Sequence, residues 1–150
     1  GDITVGFPTA LACMKLIDSI NLNLEDKNIV ILGKGELVGK PTTALLSFRG
    51  FSVKVVSSQT ENKEEIIRNA DIIISGIGKG KYITGSMIKE GVVIIDAGTS
   101  EEGSSIVGDI DRESIMNRAG YLSPVPGGVG PVTVAMLFAN VLNVARSKNL

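Results

Sequence analysis

The sequence predicts an α/β domain with a doubly wound, mainly parallel sheet flanked by helices. Three observations carry this prediction. Short runs of β-branched residues recur along the chain, segments of helical spacing separate them, and the first run ends in a glycine-rich turn that opens a helix.

The elements follow in order. Residues from about Thr9 to Ile20 have the apolar spacing of a helix, and Asn23 to Lys27 form a polar connection. Asn28-Ile29-Val30-Ile31-Leu32 then stops at Gly33, as a buried strand entering a tight turn does. Three further strands are predicted at Ser52 to Val56, Asp71 to Ser75 and Val92 to Asp96, the last two apolar enough to be covered on both faces. Helical patterns at Thr42 to Phe48, Lys63 to Asn69 and Ser86 to Lys89 alternate with them. Gly98 to Gly108 reads as a loop with a small hairpin. A long helix from about Pro131 to Ser147 closes the chain, with proline at its start. The two outer helices are expected to pack on the sheet or to clamp it to a missing partner.

Size and composition bound the function. The 150 residues, 43% hydrophobic, suffice for one domain with one sizeable core. Fifteen basic and 16 acidic residues leave a formal charge of -1, which argues against a nucleic acid or an anionic membrane as partner. With no histidine and one cysteine, Cys13, the chain supplies no His-based triad, histidine general base or ordinary zinc site. The isolated thiol cannot form an internal disulfide and suits a reducing compartment, so a cytoplasmic location is expected. No apolar run approaches a bilayer span and no signal-peptide pattern opens the chain, so a soluble protein is expected. The opening Gly1-Asp2, without methionine, sets the expectation of a fragment or cleavage product.

The first strand leads into Gly33-Lys34-Gly35-Glu36-Leu37-Val38-Gly39-Lys40-Pro41. Glycines there permit positive φ and let the backbone approach a pyrophosphate at a helix N-terminus, the Rossmann arrangement. The spacing G-x-G-x-x-x-G is one residue longer than the usual fingerprint, and a glycine turn that merely joins strand to helix is the competing reading. A P-loop is rejected, because Pro41 stands where Ser or Thr must follow the lysine and Lys34 where a glycine is needed. In NAD-specific domains an acidic residue at the end of the second strand binds the ribose 2′-OH. Here that strand ends Val56-Ser57-Ser58-Gln59-Thr60, where hydroxyls suit a 2′-phosphate and Lys34 adds positive charge, so NADP is the expected cofactor.

Two of these segments carry a resemblance. Gly33 to Pro41 resembles the G-R-S-x-x-V-G-x-P loop of the bifunctional methylenetetrahydrofolate dehydrogenase/cyclohydrolase family. Pro124-Val125-Pro126-Gly127-Gly128-Val129-Gly130-Pro131-Val132-Thr133 resembles its P-V-P-G-G-V-G-P-x-T signature, a run far more specific than any pair of glycines. Ala70 to Lys79 is similar to A-D-I-x-I-x-A-x-G-K, with Gly76 in place of alanine, and Asp96-Ala97-Gly98-Thr99 falls where the family has D-x-G-I. Lys34 and Gly35 replace Arg and Ser, which keeps a charge but loses a guanidinium and a hydroxyl.

The resemblance covers nearly the whole chain and implies the family's C-terminal NAD(P)-binding domain. It puts the cofactor against Gly33, Lys34, Gly35, Ser58, Gly76 and Ile77, then Thr99 on the nicotinamide side, with Gly128, Gly130 and Thr133 completing that wall. Phe7 to Ala12 matches P-C-T-P-x-G only at Thr9, so no folate contact is assigned there. The resemblance further implies an N-terminal folate domain, absent here, whose tyrosine and lysine act on the folate, together with a homodimer. The intact protein would be an NADP-dependent methylenetetrahydrofolate dehydrogenase and cyclohydrolase, whereas this chain is expected to bind cofactor, to lack catalytic and metal-ligating residues, and to be inactive alone. Lys79 and Lys81 beside turn glycines read as solvated, and Asp109 with Asp111 as a turn with a helix cap. Two other readings stand beside it: a free-standing NADP-binding module without catalysis, and a relative of shikimate dehydrogenase.

Overall fold

The computed structural model describes residues 5–148. In chain order the elements are α1 (Pro8–Ser19), β1 (Ile29–Leu32), α2 (Gly39–Phe48), β2 (Val53–Val56), α3 (Lys63–Arg68), β3 (Ile72–Ser75), a 3₁₀ turn (Gly85–Met87), β4 (Val93–Asp96), β5 (Ser100–Glu102), β6 (Ser105–Val107), α4 (Arg112–Ile115), β7 (Tyr121–Ser123) and α5 (Val129–Ser147).

Five strands form one parallel sheet in the order β2-β1-β3-β4-β7, and β5 and β6 make a separate antiparallel hairpin. The order reverses between β1 and β3: the chain leaves β1 for β2 on one side, then returns to lay β3 on the other. In a doubly wound sheet that reversal opens a crevice beyond the carboxyl ends of the two strands.

The isoleucine-rich strands are buried on both faces, as parallel strands must be under crossover helices. Ile29, Ile31, Ile72, Ile74 and Ile95 pack under α1, α2 and α5. The alternate residues Val30, Leu32, Ile73 and Ile94 pack against α3, the 3₁₀ turn and α4. The doubly wound, mainly parallel architecture expected from the sequence is therefore present, and so is the small hairpin within 98–108.

Three elements differ from expectation. β7 was not anticipated: Tyr121-Leu122-Ser123 is too short to show a period, and it forms because β4 offers it a full ladder. The segment 86–89 gives only the 3₁₀ turn, since Gly91 and the extended backbone of Ile88 end it. α5 begins at Val129, with Pro131 in its first turn.

A fourth difference concerns α5 as a whole. Thr133, Asn140, Asn143 and Arg146 interrupt its apolar run in the sequence, yet by length and composition this 19-residue helix passes as a bilayer span, correcting the expectation that no segment would. One face lies along α1, and Asn140 grips the incoming chain there, its amide donating to Gly6 O at 2.8 Å while its oxygen accepts from Gly6 N. On the other face Val134, Leu137, Phe138, Val141 and Leu142, spaced i, i+3, i+4, i+7 and i+8, are each more than half exposed.

Candidate functional site

The crevice at the strand reversal is closed by backbone packing that only glycine allows. Gly33 ends β1 at φ +102°, and a Cβ there would lie 2.8 Å from the Gly76 carbonyl oxygen at the end of β3. A Cβ on Gly39 would lie 2.2 Å from the Gly33 oxygen, so the start of α2 is seated directly on the turn. Gly35, between them, faces open space. The extra residue in G-x-G-x-x-x-G therefore still delivers its last glycine to the strand–helix contact. Lys40 N–H already donates to Gly35 O, and Pro41 has no N–H. The helix end consequently offers an anion its dipole, with no acidic residue in the first turn to oppose it.

Two clefts open from this point. The first, about 350 Å³, is lined by Gly33, Lys34, Gly35, Ser57, Ser58, Lys63, Gly76, Ile77, Lys79 and Tyr82, a volume within the usual range for small-molecule sites. Three lysines and no carboxylate line it. Lys79 also lies over the Tyr82 ring at 5.6 Å. Ser57 N–H donates to Thr60 Oγ1 at 2.9 Å, which holds the turn after β2, and the exposed Ser58 stands at the lip. The second cleft, about 460 Å³, is largely apolar and is lined by Leu37, Val38, the turn Asp96 to Thr99, Ile106, Pro124 to Gly127, Val129, Gly130, Pro131 and Thr133. Val38 lines the second cleft and closes on Gly76 in the first, where an added Cβ would sit 2.7 Å from its own.

Of the residues singled out in the sequence, Gly33, Lys34, Gly35, Ser58, Gly76 and Ile77 meet in the first cleft, and Thr99, Gly130 and Thr133 in the second. Gly128 lines neither. It is buried beneath the turn, where a Cβ would lie 2.4 Å from the Pro124 oxygen. The signature thus divides into residues that pack its turn and residues that face the cleft. Thr9, left without an assignment, does reach the second cleft. Lys63 went unnoticed because it reads as an ordinary first-turn helix residue, and only the fold brings it to the end of β2.

The larger departure concerns the aspartates. Asp111 does cap α4, its Oδ1 accepting from Ser114 N. Asp109 is instead fully buried, its carboxylate accepting from Ser75 Oγ at 2.6 Å, Ile77 N at 2.8 Å and Lys79 N at 2.9 Å. Asp96 is buried beside it and accepts from Gly98 N, Asp109 N and Ile110 N at 3.0–3.1 Å. Burial pushes the Asp96 carboxyl up to about 6, helped by the nearby Asp109 charge and opposed by the three N–H donors. The sequence held one signal for this: the predicted strands β3 and β4 end in Ser75 and Asp96, polar residues that the structure buries at adjacent strand tips. Lys81 pairs with Glu102, and no cluster of three or more potential metal-ligating side chains occurs among the described residues.

Comparison with known proteins gives the following. Residues 8–149 match the sequence model of "Tetrahydrofolate dehydrogenase/cyclohydrolase, NAD(P)-binding domain". The bifunctional protein FolD of Natranaerobius thermophilus is 40% identical over 151 aligned positions, covering 97% of this chain and 53% of that protein. The mitochondrial C-1-tetrahydrofolate synthase of Saccharomyces cerevisiae is 41% identical, covering 92% of this chain and 15% of that protein. Among solved structures, the Trypanosoma brucei methylenetetrahydrofolate dehydrogenase-cyclohydrolase complexed with NADP and an inhibitor superposes with a TM-score of 0.87 at 37% identity, covering 94% of this chain and 50% of that one. The chain therefore spans about half the length of the FolD relatives it matches.

Proposed function

We propose, from the premise that this chain belongs to the tetrahydrofolate dehydrogenase/cyclohydrolase family and forms its NAD(P)-binding domain, that it holds NADP for an NADP-dependent methylenetetrahydrofolate dehydrogenase that is also a methenyltetrahydrofolate cyclohydrolase. The reading of a shikimate dehydrogenase relative falls with that premise. The observation that carries the proposal is the first cleft, which gathers Lys34, Lys63 and Lys79 beside the hydroxyls at the end of β2 with no carboxylate to repel a 2′-phosphate. The Trypanosoma brucei relative, complexed with NADP, supports the same choice of cofactor.

The residues fit a dinucleotide. Gly33 and Gly39 seat the turn against β3 and the start of α2, Gly35 leaves open space there where the pyrophosphate would sit at the α2 dipole, and Ser58 and Lys63 would hold the adenosine half. The second cleft would hold the nicotinamide half, with Leu37, Val125 and Pro126 as its apolar walls and Thr99 and Thr133 at its border. Held there, the cofactor would supply the hydride acceptor for the methylene carbon of the folate. The chain's own part is to fix one reactant within reach of the other, an orientation worth much of the barrier.

Asp96, the one carboxylate on the second cleft, accepts from three backbone N–H groups, so its oxygens are committed to holding the turn. The groups that act on folate are therefore assigned to a separate N-terminal domain. The exposed stripe of α5 is the surface for that domain to cover, and a homodimer of the intact enzyme in a reducing, cytoplasmic setting completes the proposal. Following NADPH fluorescence with methylenetetrahydrofolate tests it. The expected result is NADP binding but no turnover by this chain, and turnover once the folate domain is joined to it. Failure of the joined protein to reduce NADP would overturn the reading.

A further inference from the structure

We propose that Asp109 is a positioning residue that locks the β3 and β4 cofactor loops together, so that both clefts stay aligned for a single dinucleotide. The inference rests on the NADP reading above and adds a role for a buried acid that this reading leaves unused.

The argument begins with the backbone. Residues 108–111 run alongside 81–83, with Lys81 N donating to Gly108 O, Ile83 N to Asp109 O and Asp111 N to Ile83 O. This spine carries Asp109 between the ends of β3 and β4. Its carboxylate takes the hydroxyl of Ser75, the last residue of β3, and the N–H groups of Ile77 and Lys79 in the loop that follows and walls the first cleft. Its own N–H donates to Asp96 Oδ1, the oxygen that also accepts from Gly98 N in the loop of the second cleft.

Steric packing points the same way. A Cβ on Gly98 would lie 2.1 Å from the Asp109 carboxyl carbon, and one on Gly108 would lie 2.0 Å from Asp96 Oδ2. Two glycines therefore make room for two carboxylates at the junction of the loops. A buried carboxylate costs free energy unless every oxygen is engaged. Here each oxygen is engaged, and the donors come from the tip of β3 and the loop after it, whereas a helix cap or surface turn needs neither burial nor Ser75.

The test uses Asp109→Asn, which keeps the volume but leaves one backbone N–H facing a donor whichever way the amide turns. Affinity for NADP is compared with that for adenosine 2′-phosphate, which reaches only the Lys34, Ser58 and Lys63 side of the first cleft. NADP affinity is expected to fall roughly tenfold while the fragment changes less than about threefold. Amide exchange at Ile77 and Lys79 should quicken while that of Ile73 and Ile94 in the core stays the same. Equal loss for both ligands, or no loss for either, would overturn the positioning role. If the parent chain binds neither ligand, the NADP reading fails, and the proposal fails with it. Should Asp109→Asn not fold, Ser75→Ala removes one donor and should give the same ligand selectivity at about threefold; its absence there would equally overturn the proposal.

Discussion

Lys34 and Lys63 approach the first cleft from different elements, one on the glycine turn and one at the start of α3. Neither lysine has a carboxylate salt-bridge partner among the described residues, so their charge is available to a ligand. Replacing either with alanine should weaken NADP about tenfold and NAD by less than threefold in parallel titrations, because only NADP carries the 2′-phosphate. Equal losses would remove both lysines from cofactor choice. Gly35 is the complementary case: its neighbourhood is open, so Gly35→Ser should fold with an unchanged melting temperature and put a hydroxyl at the pyrophosphate. The titration of Asp96 has a definite sign. Its folded pKa of about 6 lies above the ordinary 3.8, so the folded state binds the extra proton between these values. Stability from this group is full below about pH 4 and is lost as pH rises through 6, by roughly 3 kcal/mol at most. Urea midpoints should therefore show the advantage of the parent chain over Asp96→Asn shrinking from pH 5 to pH 7. A constant or growing advantage would contradict the assignment.

At the scale of elements, strand-to-helix junctions do most of the positioning. Gly39→Ala would drive a methyl group into the Gly33 carbonyl, so α2 would have to lift from the turn, costing about 2–3 kcal/mol of stability and most of the NADP affinity. Calorimetry and titration on the same sample would show whether both losses occur together. β1, β3 and β4 were legible because runs such as Ile72-Ile73-Ile74 suit only a strand buried on both faces. β7 was hidden, being three residues whose pairing depends wholly on β4. Asp109 was hidden for a related reason. A carboxylate beside Gly108 reads locally as a turn, and the donors that explain it lie 30 and more residues away at Ser75, Ile77 and Lys79. The polar tips Ser75 and Asp96 were the available clue, each closing an otherwise apolar strand.

Across the whole molecule, the first and last helices meet on the face opposite α3 and α4. α1 lies along α5, Asn140 binds Gly6 between them, and the stripe Val134, Leu137, Phe138, Val141 and Leu142 points outward. A sequence pattern shows that α5 is apolar. It does not show which side is covered, and so the cofactor clefts were easier to foresee than this surface. Replacing Leu137 and Phe138 with Gln and Ser should leave the NADP affinity of this chain unchanged, because neither residue lines either of the two clefts proposed for the cofactor, but weaken its association with the folate domain by at least tenfold. Binding measured between the separate halves would check both parts. The central claim, that the lysine-lined cleft beside a glycine cradle holds NADP, is tested most directly by calorimetric titration of this chain with NADP and with NAD. The account predicts one NADP per chain and at least tenfold weaker NAD; equal affinity, tighter NAD or no heat from either would contradict it.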